Sequence, residues 1–279
     1  MKRLIILIIS MVASWGVKAA ETDSAFVVKA LAEARLLPAE ANVPLFFAER
    51  FLGRPYVAYT LEVADPEKLV VNTRQLDCTT LVENVTAMTL CVRRNRFTFS
   101  DFKKALKEIR YRNGRLTDYT SRLHYFSDWI DDNARRGTVS NVSQTTSPFT
   151  AVQTLDIYYM SRHAQSYKAL KKHPEMVSVI AAQEAALTGR RYRYIPKNGV
   201  VDSKAMRAAV HDGDIIAITC SKPGLDIAHL GFAVWRSDGL HLLNASQLHK
   251  KVVLEPMTLK EYLKKHPSHT GIRIIRIEK

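Results

Sequence analysis

The sequence predicts an α+β fold, a helical front half followed by an antiparallel sheet. Three observations carry this. Apolar residues recur at helical spacing through most of the first 190 positions, and the last third holds short apolar runs bounded by turn signals. Two of those runs, 227–236 and 239–246, are joined by Ser237-Asp238-Gly239, a tight-hairpin signature. At 279 residues and 47% hydrophobic, the chain can bury a core and is not a disordered tail.

The elements follow in chain order. Lys2 and Arg3 precede an apolar run from Leu4 to Val12, and Val17 and Ala19 stand at −3 and −1 of a cut after Ala19. That is the layout of a secretory signal over 1–19, and its apolar run is short for a membrane span. The expectation is an exported, periplasmic chain of residues 20–279 without stable membrane insertion. Ser24 to Arg50 reads as two helical segments broken at Pro38; 51–63 and 67–76 read as extended. Cys78 to Arg94 is strongly helical, with Leu81, Val82, Val85, Met88 and Val92 on one apolar face. Phe99 to Arg112 makes the next helix, with Asp101 placed to help start it. A helix is expected from Ser121 to Arg135, a loop over 138–148, and helical patterning over 154–189, stopped by Gly189. Then come a strand at 211–220, the hairpin, a short helix at 258–266 and a closing strand at 271–279.

The formal net charge is +14; Lys2, Arg3 and Lys18 belong to the signal, leaving +11. A basic balance favours an anionic partner, or simply keeps the surface solvated. An exported chain seldom meets nucleic acid, so the anions in view are carboxylate-bearing wall polymers. The three cysteines are Cys78, Cys91 and Cys220. Cys78 and Cys91 lie roughly 20 Å apart along one helix and cannot bridge each other. An odd number leaves at least one thiol unpaired, which points to use rather than framework.

Cys78 opens an amphipathic helix, where the positive end of the helix dipole is expected to lower its pKa. Cys91 and Cys220 read as buried apolar residues. His229 begins a strand whose Gly231 permits close approach of another backbone. A cysteine hydrolase needs a base near the thiol and a third group that orients the imidazole. Asn244, on the next hairpin strand, stands where it can fill that role. The scattered histidines lack zinc spacing, so neither a metal nor any other cofactor is expected.

FLGRPY (51–56), LDCTTLVENV (76–85), HDGDIIAI (211–218), AHLGFAV (228–234) and LLNAS (242–246) occur in an order that resembles the NlpC-type cell-wall peptidases, a papain-like family. Within it the chain looks most like the N-acetylmuramoyl-L-alanine amidase-like branch. The resemblance implies a papain-like core, in which the nucleophile helix packs on an antiparallel sheet. It implies one catalytic domain over 20–279, with a helical insertion at about 100–190 lining the cleft. It also implies a thiolate at Cys78, a base at His229, an orienting group at Asn244, a site tyrosine at Tyr56 and an oxyanion donor at the Cys78 N–H. The third position is often His in that family; here it is Asn244.

By the same resemblance the middle helices select substrate, and Arg122, His124, Tyr125, Trp129, Ser161 and His163 are the candidates. Core packing is the competing account of Tyr125 and Trp129. The implied activity is cysteine-dependent hydrolysis of the muramyl–L-alanine amide in anhydro-muropeptides. The rivals are a D-glutamyl-diamino-acid endopeptidase and a wall-binding protein without turnover.

Overall fold

Helix caps written into the sequence decide where the front half folds. A computed structural model describes residues 21–143 and 145–278; the signal expected over 1–19 lies outside them. Helix α1 (Asp23–Ala34) is capped by Thr22, and α2 (Val43–Glu49) by Asn42 with Pro44 in its first turn. Reciprocal capping boxes open α3 (Cys78–Arg93), through Asp77 and Thr80, and α4 (Phe99–Arg110), through Thr98 and Asp101. Helix α5 (Phe126–Arg135) starts later than the Ser121 expected, because Asp118 caps a separate 3₁₀ turn at Tyr119–Ser121. The stretch 51–76 joins no strand of the sheet; it makes only isolated bridges, Pro55 to Lys251 and Tyr56 to Leu76.

The remaining elements are β1 (Val139–Val142), β2 (Ala151–Thr154), α6 (Tyr159–Arg162), α7 (Lys168–Lys172), α8 (Met176–Leu187), β3 (Arg191–Pro196) and α9 (Lys204–Ala209). After them come β4 (Ile215–Cys220), β5 (Ile227–Arg236), β6 (Gly239–Ser246), β7 (Lys251–Leu254), α10 (Leu259–Lys265) and β8 (His269–Ile277). The strands run antiparallel in the order β2-β3-β8-β4-β5-β6-β7, and β1 pairs with the end of β8. The fold is therefore a mixed one of helices and antiparallel sheet.

Both faces of the sheet are covered. In β4, Ile215 and Ala217 enter the core beneath α1–α5, while Ile216 and Ile218 enter a second core with Met206, Leu259 and Leu263 of α9 and α10. On α3, Leu81, Val82, Val85 and Met88 have no exposed surface, each stabilising by about 1.5–3 kcal/mol, and the helix lies against β5 and β6. The helical insertion expected over 100–190 divides in two. Helices α4 and α5 join the main core through Phe102, Leu106, Trp129 and Ile130, whereas Leu155, Ile157, Met160, Ile180 and Leu187 form a third cluster with Tyr119 and Tyr125.

Candidate active site

Cys78 is the first residue of α3, and Asp77 accepts from the Thr80 N–H to fix that start. A first-turn N–H has no carbonyl partner inside the helix and stays available to a ligand. The thiol behaves differently from the sequence expectation. Burial pushes it up to about 12, the Asp77 carboxylate pushes the same way, and N–H donation from Leu230 and contacts from Thr79 only partly oppose them. Desolvation thus opposes the lowering expected from the helix start and favours the protonated thiol.

His229 lies near the start of β5, and its Nε2 is 2.9 Å from Asn244 Oδ1. The neighbours fix which atom is which. Asn244 is fully buried, and its Nδ2 lies 3.0 Å from Glu255 Oε1, a carboxylate oxygen that only accepts. Oδ1 therefore faces His229, so His229 carries its proton on Nε2 and leaves Nδ1 as the basic atom. Burial lowers the His229 pKa; the Asn244 bond and the Glu255 charge hold it up. Gly231 makes the pairing possible, because a Cβ there would stand 2.6 Å from the Leu243 carbonyl oxygen.

Cys78 and His229 line one cavity of about 340 Å³, whose walls also include Asp77, Thr79, Glu83, Arg122, His124, Tyr125 and Asp226. Tyr56 lies near Cys78 but is not among the residues lining this cavity: its backbone N–H donates to the Lys250 carbonyl, and burial, with Cys78 and Asp77 nearby, pushes its phenol up to about 12. Among the described residues no group of three or more His, Cys, Asp or Glu side chains is arranged to hold a metal ion. All three cysteines are free thiols.

A family model for N-acetylmuramoyl-L-alanine amidase-like proteins matches residues 46–272. The chain belongs to this family. It is also similar to the solved structure of an N-acetylmuramoyl-L-alanine amidase from Bacteroides uniformis ATCC 8492, with 42% identity and a TM-score of 0.79 over 85% of this chain and 98% of that one. A Bacteroides fragilis structure described as a candidate xylanase is 43% identical, with a TM-score of 0.77 over 83% of this chain and 99% of that one. A Legionella pneumophila protein at 22% identity and a TM-score of 0.67, over 92% and 97% of the two chains, shares the fold. No curated protein matches the chain. Membership places it with the peptidoglycan amidase-like proteins, hydrolases of amide bonds.

The substrate-binding candidates of this amidase-like protein separate. Arg122 reaches the cavity wall, but it pairs with Glu62 at 2.7 Å and Glu67 at 2.6 Å, so its charge is already compensated. His124 lines the cavity as a neutral ring; burial lowers its pKa to about 3, and Nε2 meets the Tyr119 carbonyl at 2.9 Å. Tyr125 both lines the cavity and braces the third cluster, donating to Glu184 at 2.6 Å.

Three candidates do not reach the cavity. Trp129 is fully buried and stacked on Phe126 with centroids 4.8 Å apart; it is core, because Phe126, Trp129 and Ile130 form one helical stripe. Ser161 is turned to the Tyr158 carbonyl. His163 is exposed and stacked on Tyr159 at 4.3 Å. Sequence reasoning missed Glu83, Asp226 and Glu255. Glu83 carried the only available signal, lying one turn beyond Thr79 and Thr80 on the nucleophile helix.

Proposed function

We propose that the protein is a papain-like cysteine amidase of the NlpC type that cuts the amide between the muramyl lactyl group and L-alanine, acting on anhydro-muropeptides after export through the 1–19 signal. The observation that carries this reading is the oriented imidazole: Nε2 tied to Asn244 Oδ1 at 2.9 Å, with Nδ1 free on the residue that shares a cavity with Cys78. Burial favours the protonated thiol, so attack requires a base, and His229 is the base at hand.

In the proposed cycle the Cys78 proton passes to His229 Nδ1 as sulfur attacks the amide carbonyl. The Cys78 N–H stabilises the oxyanion, and Tyr56 flanks the reacting carbonyl. The imidazolium gives its proton to the L-alanine nitrogen, the C–N bond breaks and a thioester remains. Water, deprotonated by His229, adds to the thioester; sulfur leaves and recovers the proton, and the lactyl carboxylate is released. Glycosidic cleavage fits less well. It needs two available carboxyl groups, whereas Glu62 and Glu83 are bound to Arg122 and Arg110, Asp77 caps α3, and Asp226 accepts from the Ser127 N–H at 2.6 Å.

Digestion of defined muropeptides, with and without the anhydro sugar, tests this by mass. The expected product is a stem peptide with a free L-alanine amine, absent with Cys78→Ala. Cleavage between stem residues would identify an endopeptidase, and intact fragments with both proteins a wall-binding protein.

A further inference from the structure

We propose that Glu255 is a positioning residue for the imidazole, holding His229 through Asn244 and stabilising the positive ring formed when His229 takes a proton; this rests on the reading of His229 as base and Cys78 as nucleophile. The backbone around Glu255 is pinned on both sides. Its N–H donates to the Leu242 carbonyl at 2.9 Å, extending the β6–β7 ladder by one residue, and its own carbonyl lies 2.9 Å from His241 Nδ1. The side chain is 2% exposed. Oε1 accepts from Asn244 Nδ2 at 3.0 Å, and Oε2 lies 3.2 Å from His249 Nε2.

Among the described residues no lysine or arginine stands within ion-pair distance of Glu255, and its one ionisable close partner is His249. A carboxylate buried without a permanent cation costs several kcal/mol. The positive charge that would balance it arises during turnover, one residue away through Asn244. A neutral asparagine at the third position orients the ring and supplies no charge, and Glu255 provides what it lacks. The other groups facing His229 are Cys78 of α3 and its cap Asp77, Tyr262 from α10, and His266 and His269 from the turn and strand that follow. Of these only Asp77 is anionic and independent of the thiol proton.

The test needs no substrate for its main readout. Ring-nitrogen NMR of the full chain, with His229 assigned by its loss in His229→Gln, reports tautomer and titration midpoint. Cys78 alkylation by iodoacetamide reports proton transfer to His229. Glu255→Gln keeps the shape and an acceptor for Asn244 while removing the charge. It is expected to move the His229 midpoint acidward by about one unit, slow alkylation at pH 7 about tenfold and lower kcat with KM unchanged. Glu255→Ala is expected to mix the two His229 tautomers as well; if it does not fold, Glu255→Gln carries the test. Unchanged midpoint, tautomer and alkylation in Glu255→Gln, whatever its melting temperature, would overturn the proposal and leave Glu255 a structural prop. A shifted midpoint and slowed alkylation in a protein that cleaves no muropeptide would uphold the positioning role while removing the amidase reading.

Discussion

Replacing Gly231 with alanine probes the distance on which the imidazole depends. The added Cβ would stand 2.6 Å from the Leu243 carbonyl oxygen and 2.7 Å from Leu242 Cδ1. Ordinary contact begins roughly 0.8 Å further out. The Leu243 oxygen belongs to the β5–β6 ladder and cannot rotate aside, so the two strands must part. Gly231 lies two residues after His229, and Leu243 lies one before Asn244. Opening the pair by about 0.8 Å takes the 2.9 Å His229–Asn244 bond beyond hydrogen-bonding range. Overpacking costs about 1–3 kcal/mol of stability. Misplacing the base by nearly 1 Å costs up to about 10²-fold in kcat, close to 2.7 kcal/mol of barrier. The assay is stem-peptide release at saturating muropeptide, well below the melting temperature, alongside urea denaturation of the same sample. Stability lost on the expected scale with kcat within about twofold of the parent would refute the reasoning.

Two further outcomes concern stability. His124 is held neutral, its folded pKa near 3 against about 6.5 when unfolded. The unfolded state therefore binds the extra proton, and His124's contribution is present above pH 6.5 and lost as pH falls towards 3, by up to about 1.4 kcal/mol per unit; urea midpoints from pH 7 to 4.5 should fall less steeply in His124→Gln, and identical slopes would sink the assignment. Arg110 and Glu83 form a 2.8 Å ion pair with both side chains at most 3% exposed, and Arg110 also donates to the Val70 carbonyl. Arg110→Met should cost about 3–5 kcal/mol, and pairing it with Glu83→Leu should recover most of that; a single-variant loss below about 1 kcal/mol would contradict it.

The parts of this molecule legible in its sequence are those with local causes. The α3 start was readable from Asp77 and the apolar spacing behind Cys78, and the hairpin from Ser237-Asp238-Gly239. Edge strands were not. Val139–Val142 reads as a polar loop because only Val139 is buried, Val142 merely flanking the second core, and its pairing partner, Ile274–Ile277, lies far along the chain. Trp129 stayed between two accounts because an aromatic residue among polar ones suits a binding face as well as a core stripe. The thiol pKa ran against expectation because desolvation depends on what folds over Cys78, which a helix start cannot reveal. Glu255 carries no local signal: it gains its meaning only where the chain returns after β7 to meet the floor of Asn244.

The protonated state of Cys78 also bears on durability. Peroxides and disulfides react with thiolates, and the neutral thiol is a poor target. Burial, which pushes the sulfur up to about 12, thus disfavours the thiolate through which oxidants would convert it to sulfenic acid. On the proposed reading, nucleophilicity appears when His229 draws the proton away. The same burial that makes the sulfur call for a base thus also lowers its reactivity toward oxidants.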